Sequence, residues 1–201
     1  AWQPLKPLKL RVLLPATHPD IGFTDQLIFL SDPAAVTKPP DKNISLVKAA
    51  RRDYPACLQM INNAYRASWH TLPHLRDQLM ASSKQELRED IAAGHVLMIV
   101  WQGMLAGLMI CERRRLAFIE GVQIMDEVII PAYQGRGLAA CAQQRLLQQL
   151  CHHPGVQELL TGTILPGNFP SVRSAQSAGR RCVLKYQFFA PADLGPDRVI
   201  I

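Results

Sequence analysis

"PAYQGRGLAA", Pro131 to Ala140, sets two glycines, an arginine and a glutamine between two apolar stretches. Before it, "GVQIMDEVIIP" (residues 121–131) has the length and β-branched content of a strand. After it, "LAACAQQRLLQQLC" (138–151) sets Leu138, Cys141, Ala142, Leu146, Leu147 and Leu150 on one helical face, with glutamines opposite. The junction therefore reads strand, glycine turn, helix. Gly135 and Gly137 permit backbone angles and close approaches that side chains block. The first amides of the following helix have no partner within it, and the positive end of the helix dipole converges on the same point. An anion is favoured there, a phosphate best of all, with Arg136 and Gln134 as further donors. A tight turn that only starts a helix is the plain alternative.

Other phosphate motifs fit less well. A Walker loop needs lysine and a hydroxyl residue after the second glycine, where this chain has Leu138 and Ala139. A dinucleotide fingerprint needs a third glycine, where Ala140 stands, and belongs after the first strand of a β-α-β unit.

Three strands of a predicted meander lead up to the loop: residues 95–101, 104–112 and 121–131. The first pair turns at Gln102-Gly103, and Arg113-Arg114-Arg115 marks the second turn as solvated. Upstream, "ISLVKAA" (44–50) reads as a strand. Asp53 reads as the N-cap of a helix with Ala56, Cys57, Met60, Ile61 and Ala64 inward. A second helical region runs from His74 to Ala93, with Ser82-Ser83 as a place to split it and Gly94 as its stop. Downstream come a buried strand (158–165), a short helix (170–179, stopped by Gly179) and a final strand (181–189). The order β-α-α-β-β-β-α-β-α-β predicts one α/β domain with a mixed sheet over residues 44–201. Residues 1–43 are rich in proline and carry the apolar bursts "LRVLL" and "QLIFL". They read as an extended N-terminal arm of unassigned role, with one or two edge strands, where proline is tolerated.

Composition narrows the class. At 201 residues and 48% apolar content the chain can bury a full core. No run approaches the roughly 20 apolar residues of a membrane span. The first residues mix Lys6, Lys9 and Arg11 with prolines rather than following the layout of a secretory leader. The five cysteines (Cys57, Cys111, Cys141, Cys151, Cys182) are scattered without metal-ligand spacing, which suits thiols in a reducing compartment. The cytoplasm is the expected location, and no metal site is expected. The net charge of +6 divides as 12 basic and 9 acidic groups in residues 1–100, against 10 and 7 in residues 101–201. An excess of +3 in each half does not mark a nucleic-acid face, though it suits a polyanionic ligand.

The stretch Gln134-Gly135-Arg136-Gly137-Leu138-Ala139 resembles the Q/R-x-x-G-x-G/A signature of the GNAT superfamily of acyl-CoA-dependent N-acyltransferases. Its lead-in, "EVIIPAYQGRG", and the later "NFPSVRSAQSAGR" resemble that family too. In element order the likeness spans about residues 44–190. It implies a mixed, mostly antiparallel sheet flanked by helices and splayed between its fourth and fifth strands. It also implies acetyl-CoA as acyl donor and an amine-bearing acceptor; from charge and hydropathy, no nucleic acid or membrane partner is expected. A homodimer is left open. The amides of Gly135 to Ala140 would grip the cofactor pyrophosphate. The backbone of Glu127, Val128 and Ile129 would pair with the pantetheine arm, and Asn168 and Ser171 would contact the arm or its sulfur side.

Acyl transfer to an amine needs a base for the ammonium proton and an acid for the leaving thiolate. Many family members place a tyrosine seven residues after the asparagine and a glutamate five before it; here those positions are Ala175 and Thr163. The substitutes are Glu127, the preferred one, and Asp126, of which at most one can face the substrate because adjacent strand residues alternate. Solvated or paired carboxylates are the equal alternative. Tyr186 and Ser171 are candidate acids. His70, His74, Trp69 and Tyr65 lie where an acceptor lid or pocket would form; solvated loop histidines and aromatic core packing are their plain readings. Cys141 reads as core, and His152-His153 as a helix C-terminal pair. The absent tyrosine and glutamate also motivate a second function, a non-catalytic acyl-CoA-binding sensor or interaction module.

Overall fold

A computed structural model describes residues 9–31, 41–151 and 158–190. In chain order the strands are β1 (Leu10–Pro15), β2 (Phe23–Ser31), β3 (Ile44–Lys48), β4 (Val96–Trp101), β5 (Met104–Leu116), β6 (Ile119–Ile129), β7 (Leu159–Ile164) and β8 (Arg181–Phe189). The helices are α1 (Tyr54–Thr71) and α2 (Lys84–Ala93) between β3 and β4, α3 (Leu138–Cys151) between β6 and β7, and α4 (Phe169–Ser177) between β7 and β8. All eight strands join one sheet in the order β1-β8-β2-β7-β6-β5-β4-β3. Only β6 and β7 run parallel, joined through α3; every other pair is antiparallel.

Both faces of the sheet centre are covered, so its strands carry continuous apolar runs rather than alternating ones. In β5, Leu108 and Ile110 pack with Cys57, Met60, Ile61 and Ala64 of α1 and with Leu87 and Ile91 of α2. Met109 and Cys111, one step out of phase, pack with Leu138, Ala142, Leu146, Leu147 and Leu150 of α3. The result is three layers, helix-sheet-helix. The meander turns by local chemistry: Gln102 and Gly103 both have positive φ (51° and 77°), which suits a tight hairpin.

Several expectations change. Residues 10–31 are not an arm with edge strands only. β1 is an edge strand, but β2 lies inside the sheet between β7 and β8, with Ile28 and Phe29 fully buried. Pro15 closes β1, and Pro19 lies in the loop before β2, so these prolines punctuate strands rather than mark a loose arm. Asp20 in that loop bonds the buried Lys185 and Gln187 of β8. The helical region expected from His74 is a single turn at Pro73–Leu75, and α2 starts only at Lys84. Ser83 makes the split: its Oγ accepts from Glu86 N–H (3.2 Å) while Glu86 Oε2 accepts from Ser83 N–H (2.7 Å). Gly94 ends α2 in the left-handed region. Asp53 stands at the N-cap of α1, but its carboxylate accepts from Ala50 N–H (2.8 Å) instead of capping the helix. Arg113-Arg114-Arg115 lie within β5, not in a turn; the turn is Ala117-Phe118, with Ala117 at φ 55°. Residues 1–8 and 32–40 of the extension, and His152-His153, lie outside the described residues.

Candidate active site

β6 carries the local irregularity around which the site is built. It pairs with β5 on one side, but Ile110 opposes Asp126 while the next residue, Cys111, opposes Ile124. Met125 is therefore an extra residue, a bulge that shifts the side-chain phase by one. Ile124 packs on the α3 face; beyond the bulge Asp126 and Val128 turn to the α1 face, and Glu127 and Ile129 return to the α3 face. On its other side β6 pairs with β7 only over Gly121 to Ile124, opposite Leu159 to Gly162. Beyond that point β7 follows β2, pairing Thr163 with Ile28 and Ile164 with Leu27. The two strands part at the bulge, so Met125–Ile129 face a gap in the ladder. This is the splay between fourth and fifth strands, counted from residue 44.

At the far end of this half-paired strand lies the glycine turn. Gly135 (φ 76°) and Gly137 (φ 73°) both occupy the left-handed region, and a Cβ on either would meet no atom within 4 Å. The glycines therefore serve the backbone turn and leave open space above it. Cys141 N–H to Gly137 C=O (3.1 Å) is the first bond of α3, so the amides of Leu138, Ala139 and Ala140 have no carbonyl one turn back. Leu138 and Ala140 direct their side chains into the core. Arg136 is held beside the turn, its guanidinium 5.5 Å from the centroid of the Trp101 ring. Trp101 in turn meets Tyr133 edge-on at 6.0 Å. Gln134 departs from its expected role: its Nε2 donates to the Ile129 carbonyl (3.0 Å), fixing the strand end rather than pointing into the turn.

The two carboxylates are separated by the sheet. Glu127 Oε2 accepts from Gln143 Nε2 of α3 at 2.7 Å, and Gln143 Oε1 accepts from Arg180 Nη1 at 3.3 Å. Arg180 Nη2 also reaches the Phe29 carbonyl of β2 (3.4 Å). Burial pushes Glu127 up to about 7 against the bond from Gln143 and the charge of Arg180, and it pushes Arg180 down to about 10. Cys111 beside them is also raised by burial. Asp126, on the opposite face, is pushed by burial up to about 6, and the Tyr65 hydroxyl of α1 favours its charged form. Asp126 Oδ2 and Glu127 Oε1 are sealed from solvent without a hydrogen-bond partner.

The remaining candidates divide. Asn168 is the N-cap of α4, its Oδ1 accepting from Ser171 N–H (3.3 Å), so both stand at the end of the gap beyond β7. Tyr186 does not join them. β2 lies between β8 and β7, and the Tyr186 ring is covered by the Arg11 guanidinium at 3.9 Å. Thr163 borders the gap, and Ala175 is fully buried in α4. Trp69 packs edge-on against Tyr65 (6.1 Å) and donates to the Leu79 carbonyl (2.8 Å), fixing the chain between α1 and α2. His74 is exposed and lies against Gly167, where an added Cβ would come within 2.9 Å of Nε2; His70 is exposed at the end of α1. Cys141 is half-buried against the core, as expected.

Gln143 and Arg180 escaped the sequence reading. By its spacing the first belongs with the solvent-facing glutamines of α3, and the second sits in an Arg-Arg pair after a glycine stop. Both are buried. No local pattern distinguishes them, because burial here comes from strands remote in sequence.

No family model matches the sequence, and no curated protein matches it. Solved structures do. A GNAT-family acetyltransferase from Streptococcus agalactiae superposes with a TM-score of 0.58 at 16% identity, over 74% of this chain and 96% of that one. One from Colwellia psychrerythraea gives 0.57 at 11% identity over 90% of this chain, which spans 65% of the Colwellia protein's length. AAC(6')-Ib in complex with ribostamycin and coenzyme A gives 0.51 at 15% identity, over 80% of this chain and all of that one. A mostly antiparallel sheet that parts beside a glycine turn, with helices on both faces, gives this chain the fold of the GNAT-family acetyltransferases.

Proposed function

We propose that this protein is an acyltransferase that moves an acetyl or other short acyl group from acyl-CoA to an amine, both substrates being bound at once. The observation that carries the proposal is the open glycine turn at the end of a strand that has lost its neighbour. The amides of Gly135 to Ala140 would hold the pyrophosphate, where the dipole of α3 favours negative charge. The backbone of Glu127, Val128 and Ile129 faces the gap and would take the pantetheine arm as a missing strand. Asn168 Nδ2 and the Ser171 hydroxyl, at the start of α4, would lie on the sulfur side. Arg136 beside the turn adds positive charge for a phosphate.

Related folds support the donor: AAC(6')-Ib has been solved with acetyl-CoA as well as with coenzyme A. Bound acyl-CoA would supply an activated carbonyl and a thiol leaving group. The protein would orient that carbonyl at the bulge, exclude water from it and take the amine's proton. Thiol release from acetyl-CoA, followed against a panel of polyamines, amino acids, peptides and amino sugars, tests the reading. At least one amine is expected to stimulate release. Tight acetyl-CoA binding with no release for any amine would favour a sensor instead.

A further inference from the structure

Acyl transfer leaves open which group handles the ammonium proton, and the bulge at Met125 bears on it. Without the extra residue, Glu127 would face α1 and Asp126 would lie under α3. With it, Glu127 is bound to Gln143 and enclosed beneath α3, facing away from the α1 side. Asp126 instead sits on the α1 face at the point where β6 and β7 part. Its Oδ2 has no protein partner although it is sealed from solvent. Tyr65 reaches toward it from α1, its ring set edge-on against Trp69 and Trp69 anchored to the Leu79 carbonyl. A carboxylate with one unused oxygen, beside the start of the gap and gripped from one side, is placed to receive a proton.

Resting on the acyl-transfer reading above, we propose that Asp126 is the base that takes the proton from the attacking ammonium and that Tyr65 is the residue that positions it. The amine gives one proton to Asp126, and its freed lone pair forms the C–N bond at the thioester carbonyl. The C–S bond then breaks with its electron pair on sulfur. The nitrogen's second proton neutralises the thiolate, and Asp126 gives up the first once the products leave. One amide, one thiol and one free proton result. Among the described residues, the titratable group facing Asp126 is Tyr65 from α1; Glu127, its neighbour on β6, lies on the opposite face, where the charge of Asp126 disfavours its own. Burial raises Asp126 and Tyr65 restrains the rise. Removing the Tyr65 hydroxyl must therefore move the proton-accepting limb to higher pH.

The test compares wild type, Asp126→Asn and Tyr65→Phe by acetyl-CoA calorimetry and by pH profiles of thiol release with the amine panel. Acetyl-CoA affinity should be alike in all three. Asp126→Asn should lower release by about 100-fold or more. Tyr65→Phe keeps the ring packing, and it should shift the acidic limb upward while approaching the wild-type rate above it. A purely structural tyrosine would lower the rate without moving the limb. Undiminished release by Asp126→Asn, or an unmoved limb in Tyr65→Phe, would overturn the assignment. A wild type that fails to bind acetyl-CoA, or that binds it and releases no thiol with any amine, would instead remove the acyl-transfer reading beneath it.

Discussion

At the scale of single residues, Glu127 links the site to stability. Its carboxyl titrates near 7 when folded, against 4.5 when exposed, because burial penalises the charge more than Gln143 and Arg180 favour it. Between those values the folded chain holds a proton that the unfolded chain has lost. Stability from this group is therefore complete below about pH 4.5 and is lost as pH rises through about 7. Asp126 acts in the same direction between 3.8 and about 6. At about 1.4 kcal/mol per pH unit, Glu127 alone could contribute a decline on the order of 3 kcal/mol. Urea unfolding at pH 5 and pH 8 should show wild type losing stability across that interval and Glu127→Gln losing markedly less. Equal losses would mean that the carboxylate is not held as described. None of this was legible in the sequence beyond the presence of two adjacent acids. The bulge that sends them to opposite faces, and the burial of Gln143 and Arg180, arise from pairing with β5, α3 and β2.

At the scale of elements, legibility followed locality. The glycine turn, α3 and the Ser83 split were readable because each depends on residues within a turn or two of one another. The position of β2 was not. The prolines on either side of it suggest an arm, but "QLIFL" fills the space between β7 and β8, and only contacts across more than a hundred residues put it there. The triple arginine misled for a related reason. Charged side chains extend from an exposed strand end as readily as from a turn, and here Arg113 pairs with Glu158 and Arg115 with Glu120. If β2 is integral to the sheet, Phe29→Ala should cost about 3–5 kcal/mol, the loss typical of a buried aromatic. Chemical denaturation would check it. A cost below about 0.5 kcal/mol, as for an ordinary surface site, would return β2 to the periphery.

At the scale of the whole molecule, two features converge at one place. The sheet is continuous from β3 to β6 and from β7 to β1, and it parts where β6 bulges. The glycine turn closes the end of that same strand, so an extended ligand with a charged end would find backbone along its length and amides at its terminus. The most direct test is calorimetric titration of acetyl-CoA into wild type and Gly137→Asp. The wild type should bind with a dissociation constant in the micromolar range or tighter. Gly137→Asp places a carboxylate, at a left-handed backbone position, where a phosphate would lie, and should abolish the heat of binding while leaving the fold intact by circular dichroism. Equal affinity in the two proteins, or no binding by wild type, would contradict the assignment of the turn as a pyrophosphate cradle.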